Sequence, residues 1–213
     1  MVSRRGFLAG VPLVLVAHGL LAAGRVEKGV ARVAGDARLN GEPARVGMDV
    51  RAGDVVQTFA GGEIVFVVHR DAFLVRANSR VEVEGTPGAQ VLAGLRLVSG
   101  ALLAVFVSGE RKAIRATTAT IGIRGTGVYV ESQPQRAYVC TCYGEAEIEP
   151  AGDPAAREVV KTAYHDAPRY VMAPGAPRAI TVAPVENHTD AELILLEGLV
   201  GRVPPFGATA IRY

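Results

Sequence analysis

Tryptophan is absent from the 213 residues, and aromatics of all kinds make up only 6%. A chain this poor in flat π surfaces has little on which to stack bases or sugars. Neither sign of charge prevails, since 23 basic residues stand against 21 acidic ones for a formal net charge of +2. The two signs are interspersed, which leaves no basic stripe for a phosphate backbone or an acidic lipid surface, and nucleic acid is disfavoured as a partner. Cysteine occurs only twice, as Cys140 and Cys142, too few for a disulfide scaffold. Motifs for hydrolysis are missing as well. Ser79, Ser99, Ser108 and Ser132 lack a nucleophile-elbow setting, and no His-Glu-x-x-His segment occurs. Glu82 with Glu84, and Glu145 with Glu147 and Glu149, alternate as the outer face of a strand would rather than as an acid and base pair. No enzymatic activity is expected.

What is present is 49% hydrophobic, with 25 glycines and 12 prolines, enough to bury a core and to turn often. Residues 1–24 read as a twin-arginine export signal. Ser3-Arg4-Arg5-Gly6-Phe7-Leu8 carries the arginine pair, and an apolar run to Ala23 follows, broken by Gly10, Pro12 and His18. The expected location is periplasmic or extracytoplasmic. Small residues at Ala17, Gly19, Ala22 and Gly24 offer cleavage sites. The run falls short of the ~20 residues that span a bilayer, so cleavage is expected and membrane contact would require the signal to be retained as an anchor.

Between residues 25 and 150 the chain is a series of short segments of strand character, separated by Gly, Asp and Asn. They are Val30 to Val33, Ala37 to Leu39, Val46 to Val50, Val55 to Phe59, Ile64 to Val68, Ala72 to Arg76, Val81 to Val83, Gln90 to Leu92, Leu95 to Val98, Ala101 to Phe106 and Ala113 to Thr117. Two further strands flank a turn at Ser132 to Gln135. In them Val128 and Val130 alternate with Tyr129 and Glu131, and Tyr138, Cys140 and Cys142 alternate with Val139, Thr141 and Tyr143. The predicted fold class is all-β, with short strands stacked in a solenoid-like arrangement or a sandwich, because each strand buries one face and needs a neighbouring layer. Residues 151–213 form a Pro-rich tail. Within it Thr189-Asp190-Ala191-Glu192 is a capping box that starts one short helix over 190–200, which must pack on the β-domain because a helix of its length does not persist alone.

Gly122, Gly125 and Gly127 bracket Ile123 and Arg124. Glycines so placed mark backbone at positive φ or in close approach to another segment. They do not make a phosphate loop, since no Lys-Ser/Thr pair and no helix pattern follows. Ala119-Thr120-Ile121-Gly122-Ile123-Arg124-Gly125-Thr126-Gly127-Val128-Tyr129-Val130, preceded by Gly53-Asp54-Val55-Val56-Gln57-Thr58 and followed by a strand ending in Gly144-Glu145, resembles the FecR domain, the periplasmic sensing module of ferric citrate regulators. The resemblance covers roughly Gly29 to Glu149 and implies stacked, bent strands and a protein partner in the cell envelope. It implies sensing or scaffolding rather than catalysis. Because nothing ahead of Ser3-Arg4-Arg5 could form a cytoplasmic domain, direct capture of a sigma factor is not expected. Arg124, Gly125 and Thr126, at the glycine-bracketed turn, are the candidates for ligand or partner contact.

Cys140 and Cys142, two apart on a strand, point to one face. A disulfide needs Cβ atoms roughly 3.5 to 4.5 Å apart, closer than such neighbours usually sit, so the pair could be bridged only at a bulge or under strain. Two thiolates sharing a metal tolerate wider spacing. His165 and His188 lie in polar settings, Tyr164-His165-Asp166 and Asn187-His188-Thr189-Asp190. The four side chains could form one site for zinc or copper, with Asp166 and Asp190 orienting the imidazoles. The alternatives are a redox pair and a buried structural pair.

Overall fold

Alternation of apolar and polar residues dictates short strands here. A computed structural model, which describes residues 28–207, shows fourteen of them: β1 (Gly29–Ala34), β2 (Ala37–Leu39), β3 (Glu42–Pro43), β4 (Val55–Thr58), β5 (Glu63–Val68), β6 (Asp71–Val75), β7 (Arg80–Glu84), β8 (Gly94–Val105), β9 (Lys112–Arg115), β10 (Ala119–Ser132), β11 (Arg136–Pro150), β12 (Glu158–Thr162), β13 (Arg169–Met172) and β14 (Ile180–Val182). One helix follows, α1 (Asp190–Leu199). The fold is all-β with a single short C-terminal α-helix among the described residues, as the pattern predicts. The export signal expected over 1–24 lies outside them.

The strands join in one mixed sheet whose main path runs β14-β13-β11-β10-β9-β8-β7-β4-β2-β3. All pairings are antiparallel except β8 with β9. β8 is the junction strand: its first half pairs with β7, its second with β6 and β10. The two short strands expected at 95–98 and 101–106 are therefore one, because Ser99 and Gly100 pair with Arg80 and Ser132 and carry the ladder across the break. Two expected strands are absent. Val46 to Val50 is interrupted by a turn in which Met48 N–H donates to the Arg45 carbonyl. Gln90 to Leu92 runs as a loop that offers the Leu92 carbonyl to Lys112 Nζ rather than to a neighbouring strand.

One face of the sheet encloses a core that includes Val56, Phe66, Phe73, Leu97, Ile121 and Ile148, each at most 1% exposed. A second core lies on the opposite face, where Leu193 and Leu196 of α1 meet Val65, Val67, Leu74, Leu103 and Tyr129. Full burial of each such side chain stabilises by about 1.5 to 3 kcal/mol. The Pro-rich segment contributes β12, β13 and β14 to the same sheet, with β12 and β13 both lying along β11 at its two ends. Prolines 168, 174, 177 and 184 fall outside these strands, where no ladder hydrogen bond is lost.

Candidate metal centre

Midway along the paired β10 and β11 the sheet bends. Arg124 pairs with Glu145, Gly127 with Tyr143 and Val128 with Thr141, so Cys142 is the extra residue of a bulge. Gly125 turns the chain at φ +66°, and a Cβ on Gly127 would stand 2.4 Å from the Tyr143 ring. The bracketing glycines thus serve both expected purposes. Bulging turns Tyr143 onto the face already holding Tyr138, Cys140 and Cys142, and all four belong to the core beneath α1.

Because β12 and β13 leave the middle of β11 uncovered, the turn joining them crosses it. There His165 N–H donates to the Cys142 carbonyl at 2.9 Å. The turn is tied by Thr162, whose hydroxyl accepts from the N–H groups of Tyr164 and Asp166 and donates to the Asp166 carboxylate at 2.7 Å. His165 takes φ +48°, a left-handed backbone that costs a residue with a Cβ about 1 kcal/mol or more. His188 arrives from the other side. It immediately precedes Thr189, whose hydroxyl caps α1 by accepting from Glu192 N–H while the Glu192 carboxylate accepts from Thr189 N–H.

The four residues meet. Cys140 Sγ lies 3.4 Å from His165 Nδ1, which lies 3.1 Å from His188 Nε2. With Cys142 Sγ, these ligand atoms all fall within 4.8 Å of one another, and every side chain is buried. A tetrahedral ion with bonds of about 2.3 Å to sulfur and 2.0 to 2.1 Å to nitrogen would set its ligands about 3.3 to 3.8 Å apart. The Cys140–His165 and His165–His188 spacings, 3.4 and 3.1 Å, are close to that shape, and the widest, at up to 4.8 Å, would draw in by about 1 Å around an ion. The outward nitrogens are held: His165 Nε2 lies 3.1 Å from Asp190 Oδ1, and His188 Nδ1 lies 2.6 Å from the Glu186 carbonyl. The Asp190 carboxylate also accepts from the Tyr164 hydroxyl, and the Tyr129 ring stacks on His188 at 4.7 Å. Asp166, expected to orient an imidazole, is instead engaged by Thr162, because the left-handed turn at His165 sends consecutive side chains apart.

The electrostatics favour one thiolate. Donation from Cys142 pulls the Cys140 thiol well below its ordinary value against the penalty of burial, and His165 and His188 add to the pull. Burial pushes Cys142 up, and the neighbouring Cys140 sulfur pushes it further. Burial also opposes charge on His165, but Cys140 and Asp190 outweigh it and raise its value. No disulfide joins the two sulfurs. The same donor set, two soft sulfurs and two imidazole nitrogens, suits a thiophilic ion.

Arg124, Gly125 and Thr126 of the glycine-bracketed turn take no part in the four-residue cluster. Arg124 is exposed and faces Glu145 across the strands at 3.7 Å, an interaction worth little at a surface. Thr126 is fully buried, its hydroxyl donating to the Glu145 carbonyl. Of Arg124, Gly125 and Thr126, only Arg124 presents a side chain outward, at a shallow depression shared with Arg111 and Glu147. Sequence reading missed the Glu186 carbonyl and the Tyr129 ring as supports of His188. The alternation of Tyr129 with Val128 and Val130 was the signal available for the ring, whereas a carbonyl leaves none.

No protein-family model matches the chain, and no curated protein matches it in sequence. Among solved structures, a putative anti-sigma factor from Parabacteroides distasonis is similar, with a TM-score of 0.51 at 10% identity over 68% of this chain and 64% of that one. A second putative anti-sigma factor from the same organism gives 0.44 at 12% identity over 70% and 63%. The chain spans less than two thirds of the length of each of these two neighbours. At 10% identity the first likeness shows a common fold.

Proposed function

We propose that the chain is a non-enzymatic, exported sensing module of the FecR kind that binds a thiophilic metal ion, zinc by default and copper as the alternative, and acts on a protein partner in the cell envelope. The observation that carries the metal reading is the convergence of Cys140 Sγ, Cys142 Sγ, His165 Nδ1 and His188 Nε2, with the two outer imidazole nitrogens held by Asp190 and Glu186. Outer-nitrogen partners of this kind fix the tautomer that leaves the inner nitrogen to a metal. Four protein ligands and no exposed side chain make a closed site, which suits holding an ion rather than activating a water on it. A redox dithiol would have to admit a partner thiol, and both sulfurs are fully buried. The regulatory part of the reading is supported by the FecR resemblance and by the fold shared with a putative anti-sigma factor.

The test is elemental analysis of untagged protein, folded with its thiols reduced. One zinc or copper per chain is expected, and Cys140→Ser should lose it. Protein without stoichiometric metal under these conditions would refute the reading, and competition against a Cu(I) chelator separates the two ions.

A further inference from the structure

Two of the four ligands belong to β11, and the other two belong to the segment that returns over it. His165 is in the turn after β12, and His188 is the residue before the Thr189 cap of α1. Asp190, which holds His165 Nε2, is the first residue of that helix. Three consecutive positions thus supply a ligand, the helix cap and the support of the second ligand. The start of α1 cannot lift from the sheet without withdrawing His188 and releasing His165. Burial makes the converse equally strict, since Cys140 and Cys142 are 0% exposed, His165 3% and His188 5%. The Tyr129 ring stacks on His188, and Phe206 lies edge-on to Tyr143 and Tyr164 beside His165. These rings and the seated helix cover the four ligand side chains.

Resting on the metal-binding reading, we propose that the ion is the latch of the C-terminal segment: it seats α1 on the second face of the sheet, and its entry and exit wait on the opening of that helix. The pairings among β1 to β11 use no residue beyond Pro150. Opening therefore frees residues 183–206 while those strands stay paired. It uncovers Val65, Leu74, Leu103 and Tyr129, the apolar side chains that Leu193 and Leu196 cover. Coupling of this kind is reciprocal, so the factor by which the ion favours the seated helix is the factor by which the seated helix favours the ion.

Hydrogen exchange of the full chain, zinc-loaded against chelator-stripped and reduced, reads the latch directly. Amides of α1 should exchange about tenfold or more faster without zinc, with those of β8 and β10 unchanged. The rate at which a chromophoric chelator extracts zinc should level off with rising chelator, at the opening rate of the helix. Leu196→Ala should raise that plateau and lower zinc affinity together. Should this variant fail to fold, Thr189→Ala weakens the same helix start through its cap alone. Stoichiometric zinc with unchanged exchange over 183–206 and an extraction rate that climbs linearly with chelator would overturn the latch and leave the metal site standing. Failure of the reduced full chain to hold either zinc or copper stoichiometrically would overturn both.

Discussion

Asp190 is the side chain on which most of the site depends without touching the ion's position. Fully buried, it lies against His165 Nε2 and accepts from Tyr164, and it does so from the first turn of α1, where a helix favours negative charge. Asp190→Asn keeps the shape and removes the charge. We expect zinc affinity to fall about 10- to 100-fold, measured by competition with a chromophoric chelator, while the thiol count is unchanged. Affinity equal to that of the parent would mean that Asp190 has no part in orienting His165. His165 itself sits at φ +48°, a region in which histidine is enriched among non-glycine residues and which His69, outside the cluster, shares at +55°.

Among the elements, α1 carries a pH dependence whose sign can be worked out. Its box joins Thr189 to Glu192, and Glu192 also meets Arg76, whose guanidinium donates to the Asn187 carbonyl. Burial alone would raise the Glu192 carboxyl, but Arg76 and the cap N–H outweigh it and hold it below the ordinary 4.5. A lowered carboxylate value means that ionised Glu192 stabilises the fold fully above about 4.5 and ceases to do so as pH falls through the lowered value. Glu192→Gln should therefore melt below the parent at pH 7, with the gap closing as pH drops below 4.5. Thermal unfolding of the two proteins across that range checks it, and a gap independent of pH would contradict it. This helix was legible because its cap is local chemistry: Thr189 and Glu192 stand three apart before an apolar stripe. Cys140 and Cys142 were legible as a pair through the period of a strand, and His165 and His188 through their polar neighbours. The crossing of β11 by the turn at His165 was not, since it follows from β12 and β13 sharing one strand edge, which no spacing announces. Nor was the unity of β8, which depends on partners lying before and after it in the chain.

At the scale of the molecule, one sheet carries two cores: Val160 and Val171 contribute to the first, whereas residues 183–206 contribute to the second. The proposed cellular address rests on Arg4 and Arg5. If the leader is read as a receptor address rather than as charge, replacing both by Lys should leave the protein in the cytoplasm. Fractionation of cells producing the double variant decides this, and undiminished export would refute the assignment. Arg76 and Glu192, which join the sheet to α1, are 116 positions apart. Contacts so distant in sequence form late. Synthesis must pass His188 before its imidazole can reach the cysteines, so the four-residue cluster closes only after the sheet that bears Cys140 and Cys142 has been made. If residues 1–24 act as a twin-arginine leader, through which proteins pass already folded, a metal held by these four side chains would be one that the cytoplasm supplies.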